Sequence, residues 1–496
     1  MNTADYLLQN GKDDAIALIS PNHQYTYGEV HTGSARILGA LRRCDVQVGD
    51  RVAILGSNSL FWVCSYLAIL KQGAIAVPLA TTHTPEEIQR FIEFTGCRVI
   101  LSEQRLYPKF LASLNGRIGT LFEDVLHHDE SSPVWDEPDP DFDLDQDAAL
   151  MSTSGTTARP RAVRVTHRNI QANTNSIIAY LELDSSERMM AVLPFYYCFG
   201  TSLLHTHLRV GASLVFGGTF TYPETVLDLM EATQCTGFAG VPSIYQTLLR
   251  NSSFPKRSWT HLRKLQQAGG KLQNILIEEL VHAVPHAKVF VMYGQTEATA
   301  RLSYLPPELL PQKIGSIGKG IPGVTLSVLN EEGEPVKPNE VGEIYARGEN
   351  ICPGYWNDPE ATAEKFINGE LKTGDLATID EDGFIYVVDR KADFIKTYGY
   401  RVSSQQVEAA LIEIPELVAA AVIGEPDIVR GEAIVAFVVL RDGAVLTEKD
   451  ILAHCAKRLP HYMVPKEVFF VPALPVNAHG KVVKTELRKQ VIQRGS

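Results

Sequence analysis

Between Asp50 and Leu79 a short apolar run, DRVAILG, gives way to a helix-length stretch, SLFWVCSYLAILKQG, and then to a second short run, AIAVPL. A polar helical stretch, TPEEIQRFIEFTG, and a third run, CRVILS, continue the series. The short runs are strand-sized, and the stretches between them carry helical periodicity. Strands joined through helices suit parallel pairing, and the helices then cover both faces of the sheet. The same grammar returns at RMMAVLPF, GASLVFG, CTGFAGVP and AKVFVMYG. A chain of 496 residues, 45% hydrophobic and 21% charged, can enclose several cores built this way.

After about Pro322 the pattern changes to short alternating strands and turns, GVTLSVLNEEGEPV, VGEIYARG and LATIDEDGFIYVVDR, the last with a DG turn signal. This predicts an antiparallel sub-structure. Beyond Lys391, helix-like SSQQVEAALIEIPE and TEKDILAHCAKRLP are interleaved with strand-like VAAAVIGEPD and EAIVAFVVLRDG, enough for a small α+β domain. The expected fold class is therefore α/β: a large N-terminal domain of mostly parallel sheets covered by helices, a small antiparallel β sub-domain, and a small α+β C-terminal domain.

Charge narrows the partners. Lys and Arg total 46 against 58 Asp and Glu, a net charge of −12, which argues against a general nucleic-acid or anionic-membrane surface and leaves an anionic ligand to be met locally. The N-terminal MNTADYLLQNGKDDAIALI has no basic start or unbroken apolar core, and no apolar run reaches spanning length, so no membrane span and a cytoplasmic location are expected. Seven cysteines, at 44, 64, 97, 198, 235, 352 and 455, lack metal or redox spacing and read as buried free thiols.

The segment STSGTTARPRAVRVTHRN, Ser152 to Asn169, carries hydroxyls at Ser152, Thr153, Ser154, Thr156 and Thr157 around Gly155, then Arg159, Arg161 and Arg164 before a helix near His167. Hydroxyls, exposed N–H groups and guanidinium charge are what a polyphosphate needs. It is not a Walker loop, since no GxxxxGK[ST] is present, and alone it also reads as an ordinary polar turn. MYGQTEAT sets Tyr293, Thr296 and Glu297 just after an apolar strand: a ring for a base, a hydroxyl for a phosphate and an oxygen ligand for Mg²⁺. LKTGDLA places Asp375 after a glycine turn, where a carboxylate can take both ribose hydroxyls. DRKADFIKTYGYRV supplies Arg390 and Lys396, and PVNAHGKVVKTELRK delivers Lys481 on a glycine-bearing loop. Each alone reads as well as a solvated turn or surface charge.

Together and in this order these stretches closely resemble the ANL superfamily of adenylate-forming enzymes, which comprises acyl-CoA and aryl-CoA synthetases, stand-alone amino-acid adenylation enzymes and luciferases. YTYGEV, LKQGAIAVPL, GSIGKGIPG and VGEIYARGENICPGYWN extend the resemblance over nearly the whole chain. It implies an N-terminal domain over 1–389 that holds ATP and a carboxylic acid, with its β-rich part at about 322–389. A hinge at 390–393, centred on Ala392, and a mobile lid over 394–496 complete the organisation. It further implies that Thr153, Ser154, Gly155, Thr156 and Thr157 wrap the β- and γ-phosphates with Arg161 beside them. Tyr293 and Gly294 would lie against adenine, Thr296 near the α-phosphate, and Glu297 on Mg²⁺. Asp375 would hold the ribose hydroxyls with Arg390 close by, and Lys481 would be the adenylation lysine. After rotation of the lid, Lys396 and Gly399 would serve thioester formation.

By the same resemblance Tyr196, Tyr197, Phe199, Ala239, Gln266, Ala268, Met292 and Ala300 line the acid pocket. These are small, apolar or neutral groups, which implies a modest acid without a strong charge partner. Three departures stand out: TTARPRA where the family has TTGxPKG, Ala392 at the hinge with Asp393 next to it, and Tyr197 where CoA-ligase relatives often carry His. The amine-pairing Asp of amino-acid adenylation domains is also missing from LPFYYCFGTSLLHTHL. The leading expectation is an ATP-dependent ligase that joins a small carboxylic acid to CoA through acyl-AMP. The alternative is a stand-alone enzyme that loads an amino acid such as proline onto a carrier protein's phosphopantetheine. A nucleotide-binding pseudo-enzyme is disfavoured, because Lys481, Glu297 and Asp375 are all kept.

Overall fold

The computed structural model describes residues 1–495 apart from 115–117, 128–133, 154–159, 218–219, 221, 391–392 and 478–479. Among the described residues four sheets form. In a seven-stranded sheet, Arg51–Leu55, Ile75–Leu79, Val99–Ser102, Gly119–Phe122 and Asp147–Ser152 run parallel, and Ala162–Thr166 and Gly354–Tyr355 close one edge in antiparallel fashion. A nine-stranded sheet has a parallel centre made of Ile16–Ile19, Ser213–Val215, Arg188–Met190, Gly237–Gly240, Lys264–Gln267 and Lys288–Tyr293.

One face of each large sheet, represented by Val52, Ala149, Leu18 and Phe290, packs into a single core with the helices between them. The helix Leu60–Lys71 lies in that core, with Phe61 through Leu70 all buried. Its sequence is accordingly apolar all round rather than striped. Helix starts follow local chemistry: Thr26, Thr84 and Thr166 each close a capping box at the head of Tyr27–Arg43, Pro85–Thr95 and His167–Leu181. All seven cysteines are free, but Cys44 and Cys97 are only half-buried, which corrects the expectation of uniformly buried thiols.

One strand escapes the sequence pattern. KLQQ, at Lys264–Gln267, has three polar residues in four yet is buried throughout, paired in register between Gly237–Gly240 and Lys288–Tyr293. Lys264 ion-pairs with the distant Glu187, and Gln267 Nε2 donates to Gly270 O at 2.7 Å, while the Gln266 amide has no partner among the described residues. Periodicity cannot announce a strand whose burial depends on such partners.

The antiparallel sheet comprises Val324–Leu329, Gly342–Gly348, Glu370–Ile379, Phe366–Ile367 and Ile385–Arg390. A last sheet is built from Tyr400–Val402, Ile395–Thr397, Gly431–Leu440 and Leu417–Asp427, with Glu467–Phe470 added parallel to Gly431–Leu440. Ser404–Ile412 and Glu448–Arg458 pack on it around their own core, which includes Val407, Leu411, Ile451 and Cys455. No helix of the described residues is long and apolar enough to cross a membrane.

Candidate active site

The C-terminal ends of the central strands, the antiparallel sheet and the C-terminal stretch from Asn477 to Arg488 converge on a cavity of about 820 Å³. The edge of an α/β sheet where strands end is the usual place for a ligand. Strand Lys288–Tyr293 delivers Tyr293 to this edge, and the hairpin Glu370–Ile379/Ile385–Arg390 delivers Asp375 and Arg390, which are direct register partners. Tyr293 OH donates to Asp375 Oδ2 at 2.6 Å, and Arg390 Nε ion-pairs with Asp375 Oδ1 at 3.2 Å. Burial, and then the Asp375 charge, push the Tyr293 phenol well up, so it stays a donor. The Asp375 charge likewise raises Arg390. A carboxylate held by one neutral and one charged donor retains lone pairs for further hydroxyls.

The segment after Tyr293 is tightly constrained. A Cβ on Gly294 would meet Ala300 O at 1.9 Å, so only glycine lets the two strands of this turn approach. Thr299 sits at φ 64°, ψ −58°, which is strained for a β-branched residue. Thr299 Oγ1 donates to Asn350 O at 2.8 Å, while Asn350 Nδ2 donates to Arg301 O at 2.7 Å. This clamp holds Thr296 and Glu297 at the cavity wall. Glu297 Oε1 accepts from Tyr355 OH at 2.8 Å, and Thr296 Oγ1 lies 3.5 Å from Cys198 Sγ.

The hydroxyl-rich loop joins two antiparallel strands whose pairing reaches Ser152 and Ala162. Ser154, Gly155, Thr156 and Thr157, and with them Ala158, lie outside the described residues, as does Ala392. The loop's flanks are placed: Thr153 and Arg161 line the cavity, and the Arg161 guanidinium lies 4.9 Å from the Tyr355 ring centroid. Downstream, Thr166 caps the helix His167–Leu181, and Asn169 Nδ2 ties that helix to Glu349 O and Ile351 O at 2.7 and 2.9 Å.

Lys481 enters from the opposite side on a turn closed by Gly480 N to Asn477 O at 2.9 Å and Lys481 N to Asn477 Oδ1 at 3.0 Å. Gly480 has φ +76°, a conformation other residues adopt at a penalty. Ser243 Oγ donates to Gly480 O at 3.0 Å, which seats the turn on the helix Pro242–Arg250. Burial, and then the neighbouring Arg390 charge, lower the Lys481 pKa. A half-buried lysine beside another cation is poised for an anion. Lys396 is not brought here: it is exposed on the strand Ile395–Thr397, and its backbone N–H donates to Glu432 Oε2 at 2.6 Å. Gly399 is likewise exposed and outside the cavity lining.

Of the expected acid-pocket residues, Tyr197, Phe199, Ala268 and Ala300 are on the cavity lining, and Met292 lines a smaller adjoining space of about 300 Å³. Tyr196, Ala239 and Gln266 stand one layer behind, buried. The expectation of a uniformly neutral pocket is corrected. Arg301, 1% exposed, lines the same cavity, with its guanidinium 3.9 Å from the Phe199 ring centroid. Sequence reasoning also passed over Tyr355 and Lys365. Lys365 Nζ donates to Thr373 O at 2.7 Å beside the site, and its pKa is lowered, by burial first. Tyr355 lies in the quoted CPGYWN segment and was findable there; Arg301 and Lys365 carry no local signal, because what recruits them is far away in sequence.

The comparisons bear on this geometry. Residues 8–356 match the AMP-binding enzyme family, and 406–481 match the AMP-binding enzyme C-terminal domain. A feruloyl-CoA synthase from Amycolatopsis sp is 33% identical over 468 residues, 94% of each chain. The anthranilate CoA ligase AuaEII, solved with anthranoyl-AMP, superposes with a TM-score of 0.91 at 26% identity, over 99% of this chain and 97% of that one. The o-succinylbenzoate coenzyme A synthetase MenE from Bacillus subtilis, solved with ATP and magnesium ion, superposes with a TM-score of 0.86 at 28% identity, over 99% of each chain.

Proposed function

We infer the roles of individual residues from the premise that this chain belongs to the AMP-binding enzyme family. It is an AMP-forming acid–thiol ligase of the acyl/aryl-CoA type. In the first step a carboxylate oxygen attacks the α-phosphorus of ATP, the bond to the bridging oxygen breaks, and pyrophosphate leaves. In the second, a thiol sulfur attacks the acyl carbonyl carbon, the C–O bond to AMP breaks, and a thioester is released.

Within that reaction Asp375 takes the ribose hydroxyls, held in place by Tyr293 OH and Arg390 Nε. The Tyr293 ring lies against the adenine. Lys481 meets the negative charge that develops on the α-phosphate and the attacking carboxylate, where a positioned cation is worth most. Thr153, Arg161 and the intervening hydroxyls receive the departing pyrophosphate. Glu297, fixed by Tyr355, fits Mg²⁺, which characteristically takes one or two carboxylate oxygens and completes its shell with substrate phosphates and water. Bound there, the ion would neutralise phosphate charge. For the second step the segment 394–496 turns about 390–393, withdrawing Lys481 and presenting Lys396 and Gly399. CoA is the acceptor this reading favours.

The observation that carries the reading is the meeting of six residues around two adjoining cavities, Thr296 and Glu297 on the larger, Tyr293 and Asp375 on the smaller, and Arg390 and Lys481 on both, although they are spread over the last two-fifths of the chain. An α-amino acid substrate is disfavoured, because the described acyl end of the cavity offers an arginine and no carboxylate to a protonated amine. ATP–pyrophosphate exchange across a panel of benzoates, medium-chain fatty acids and amino acids including proline tests the proposal, with CoA and carrier protein as acceptors. Lys481→Ala is expected to lower exchange about 10²-fold or more; unchanged exchange would remove Lys481 from the reaction.

A further inference from the structure

Arg301 is among the most deeply buried large side chains of the protein, and its hydrogen-bonding neighbour is the neutral Tyr180 hydroxyl, with no carboxylate paired to it among the described residues. Its Nε faces Met292 Sδ at 3.4 Å, a weak acceptor, and its guanidinium carbon lies over the Phe199 ring at 3.9 Å. Nη2 is buried without a hydrogen-bond partner among the described residues. The ring recovers part of the desolvation penalty. Neither the ring nor a neutral hydroxyl balances the charge, and a buried cation without an anionic partner is unfavourable.

Gln266 repeats the pattern. It is fully buried, and both its Oε1 and Nε2 are unpartnered among the described residues. Its register partners are Ala239 and Phe290. Strand alternation therefore directs Gln266 to the same side as Ala268 and Met292, toward the core that holds Tyr197 and Phe199. Arg301 lines the acid side of the cavity, and Gln266 stands buried behind that wall. Native proteins seldom leave buried polar side chains unsatisfied, and a buried cation on a cavity wall asks for a specific occupant.

We propose that Arg301 is a specificity-determining residue, seconded by Gln266, and that the acid this enzyme activates carries a second anionic or hydrogen-bond-accepting group at the end remote from its reacting carboxyl. The proposal rests on the adenylation reading above and adds the substrate class. A second carboxylate or an oxygen substituent on a ring would accept from the Arg301 guanidinium where it lines the cavity, with Gln266 shaping that wall from behind, while Phe199 and Tyr197 wall the apolar part between the two ends. An unsubstituted acid would leave Arg301 without an accepting partner in the cavity, and a site built around such a donor rejects the analogue that lacks the acceptor.

Matched acids test this in the full-length enzyme by ATP–pyrophosphate exchange: benzoate against its hydroxy- and carboxy-substituted forms, and hexanoate against adipate. In each series kcat/KM is expected to favour at least one doubly functional acid by about tenfold or more. Arg301→Met should bring that ratio close to one, chiefly through KM of the substituted acid, and Arg301→Lys should keep part of it. Preference for the unsubstituted acids, or a ratio unmoved in Arg301→Met, overturns the assignment, and would mean that Arg301 is satisfied by ring and buried water alone. ATP binding by Arg301→Met reports its fold. Should that variant not bind ATP, a ratio unmoved in both Arg301→Lys and Gln266→Leu overturns the proposal instead. Exchange that depends on Lys481 but ignores the second group would leave the adenylation reading standing and remove only this inference. Absence of exchange with every acid would reach the reading itself; direct calorimetric binding of the diacids to wild type and to Arg301→Met then decides the Arg301 assignment separately, an equal affinity overturning it.

Discussion

Arg250→Ala isolates what holds the C-terminal segment against the rest of the molecule. Arg250 ends the helix Pro242–Arg250, is 5% exposed, and donates from Nη1 to Leu417 O at 2.6 Å and Ile414 O at 3.2 Å, across to the last sheet and its first helix. Those carbonyls follow the helix Ser404–Ile412, so a cation there also faces the negative end of its dipole. A hydrogen bond from a charged donor contributes roughly 1.5–3 kcal/mol. The longer bond adds less, because Ile414 O also accepts from Leu417 N at 3.0 Å. Loss of about 3 kcal/mol corresponds to roughly 100-fold in the docking equilibrium. Glu279, which pairs with Arg250 at 2.7 Å, is about a third exposed and can be hydrated in the variant. Two measurements follow. Exchange, which needs Lys481 seated, should fall at least about tenfold, and hydrogen exchange over Ser404–Ile412 should quicken. Thioester formation from supplied acyl-AMP and CoA should not fall with it. An Arg250→Ala enzyme with wild-type exchange and wild-type protection of that helix would refute the reasoning, and a parallel loss in both half-reactions would mean that Arg250 acts on the fold rather than on docking.

Two shorter predictions rest on the site itself. The Lys481 pKa is lowered by burial and by Arg390, and its charged form is the active one, so kcat/KM for exchange should decline as pH rises through a value below the ordinary lysine range. In Lys481→Arg that alkaline limb should vanish, because guanidinium does not deprotonate there; its persistence would assign it to another group. Gly294→Ala, whose Cβ would meet Ala300 O at 1.9 Å, should displace the Thr296–Arg301 turn and abolish exchange while Tm falls only modestly, as read by calorimetry and activity on one preparation.

The legible part of the fold was the part written in local pattern. Parallel strands such as Arg51–Leu55 and Ile75–Leu79, and the hairpin carrying Asp375 and Arg390, announce themselves through apolar runs and turn residues. KLQQ did not, because three of its four residues are polar and the Glu187 that pairs with Lys264 lies far away in sequence. The residues proposed for the nucleotide were legible for a related reason: loops suited to phosphate and ribose are short, contiguous and chemically narrow, so Tyr293, Glu297, Asp375 and Lys481 could each be proposed from a few residues. The acid side was not, since it is assembled from single residues of several strands and one helix.

By itself the sequence determined the architecture and the reaction family, because hydrophobic periodicity and ordered motifs are properties of neighbouring residues. Only the tertiary structure decided that Arg301 is buried over Phe199 with an unsatisfied Nη2, that Gln266 shares its fate, and that Lys396 faces away from the site while Lys481 faces in. The physical reason is the same for all three. Whether a charge is solvated, paired or stranded depends on what the rest of the chain places around it, and no local pattern encodes that.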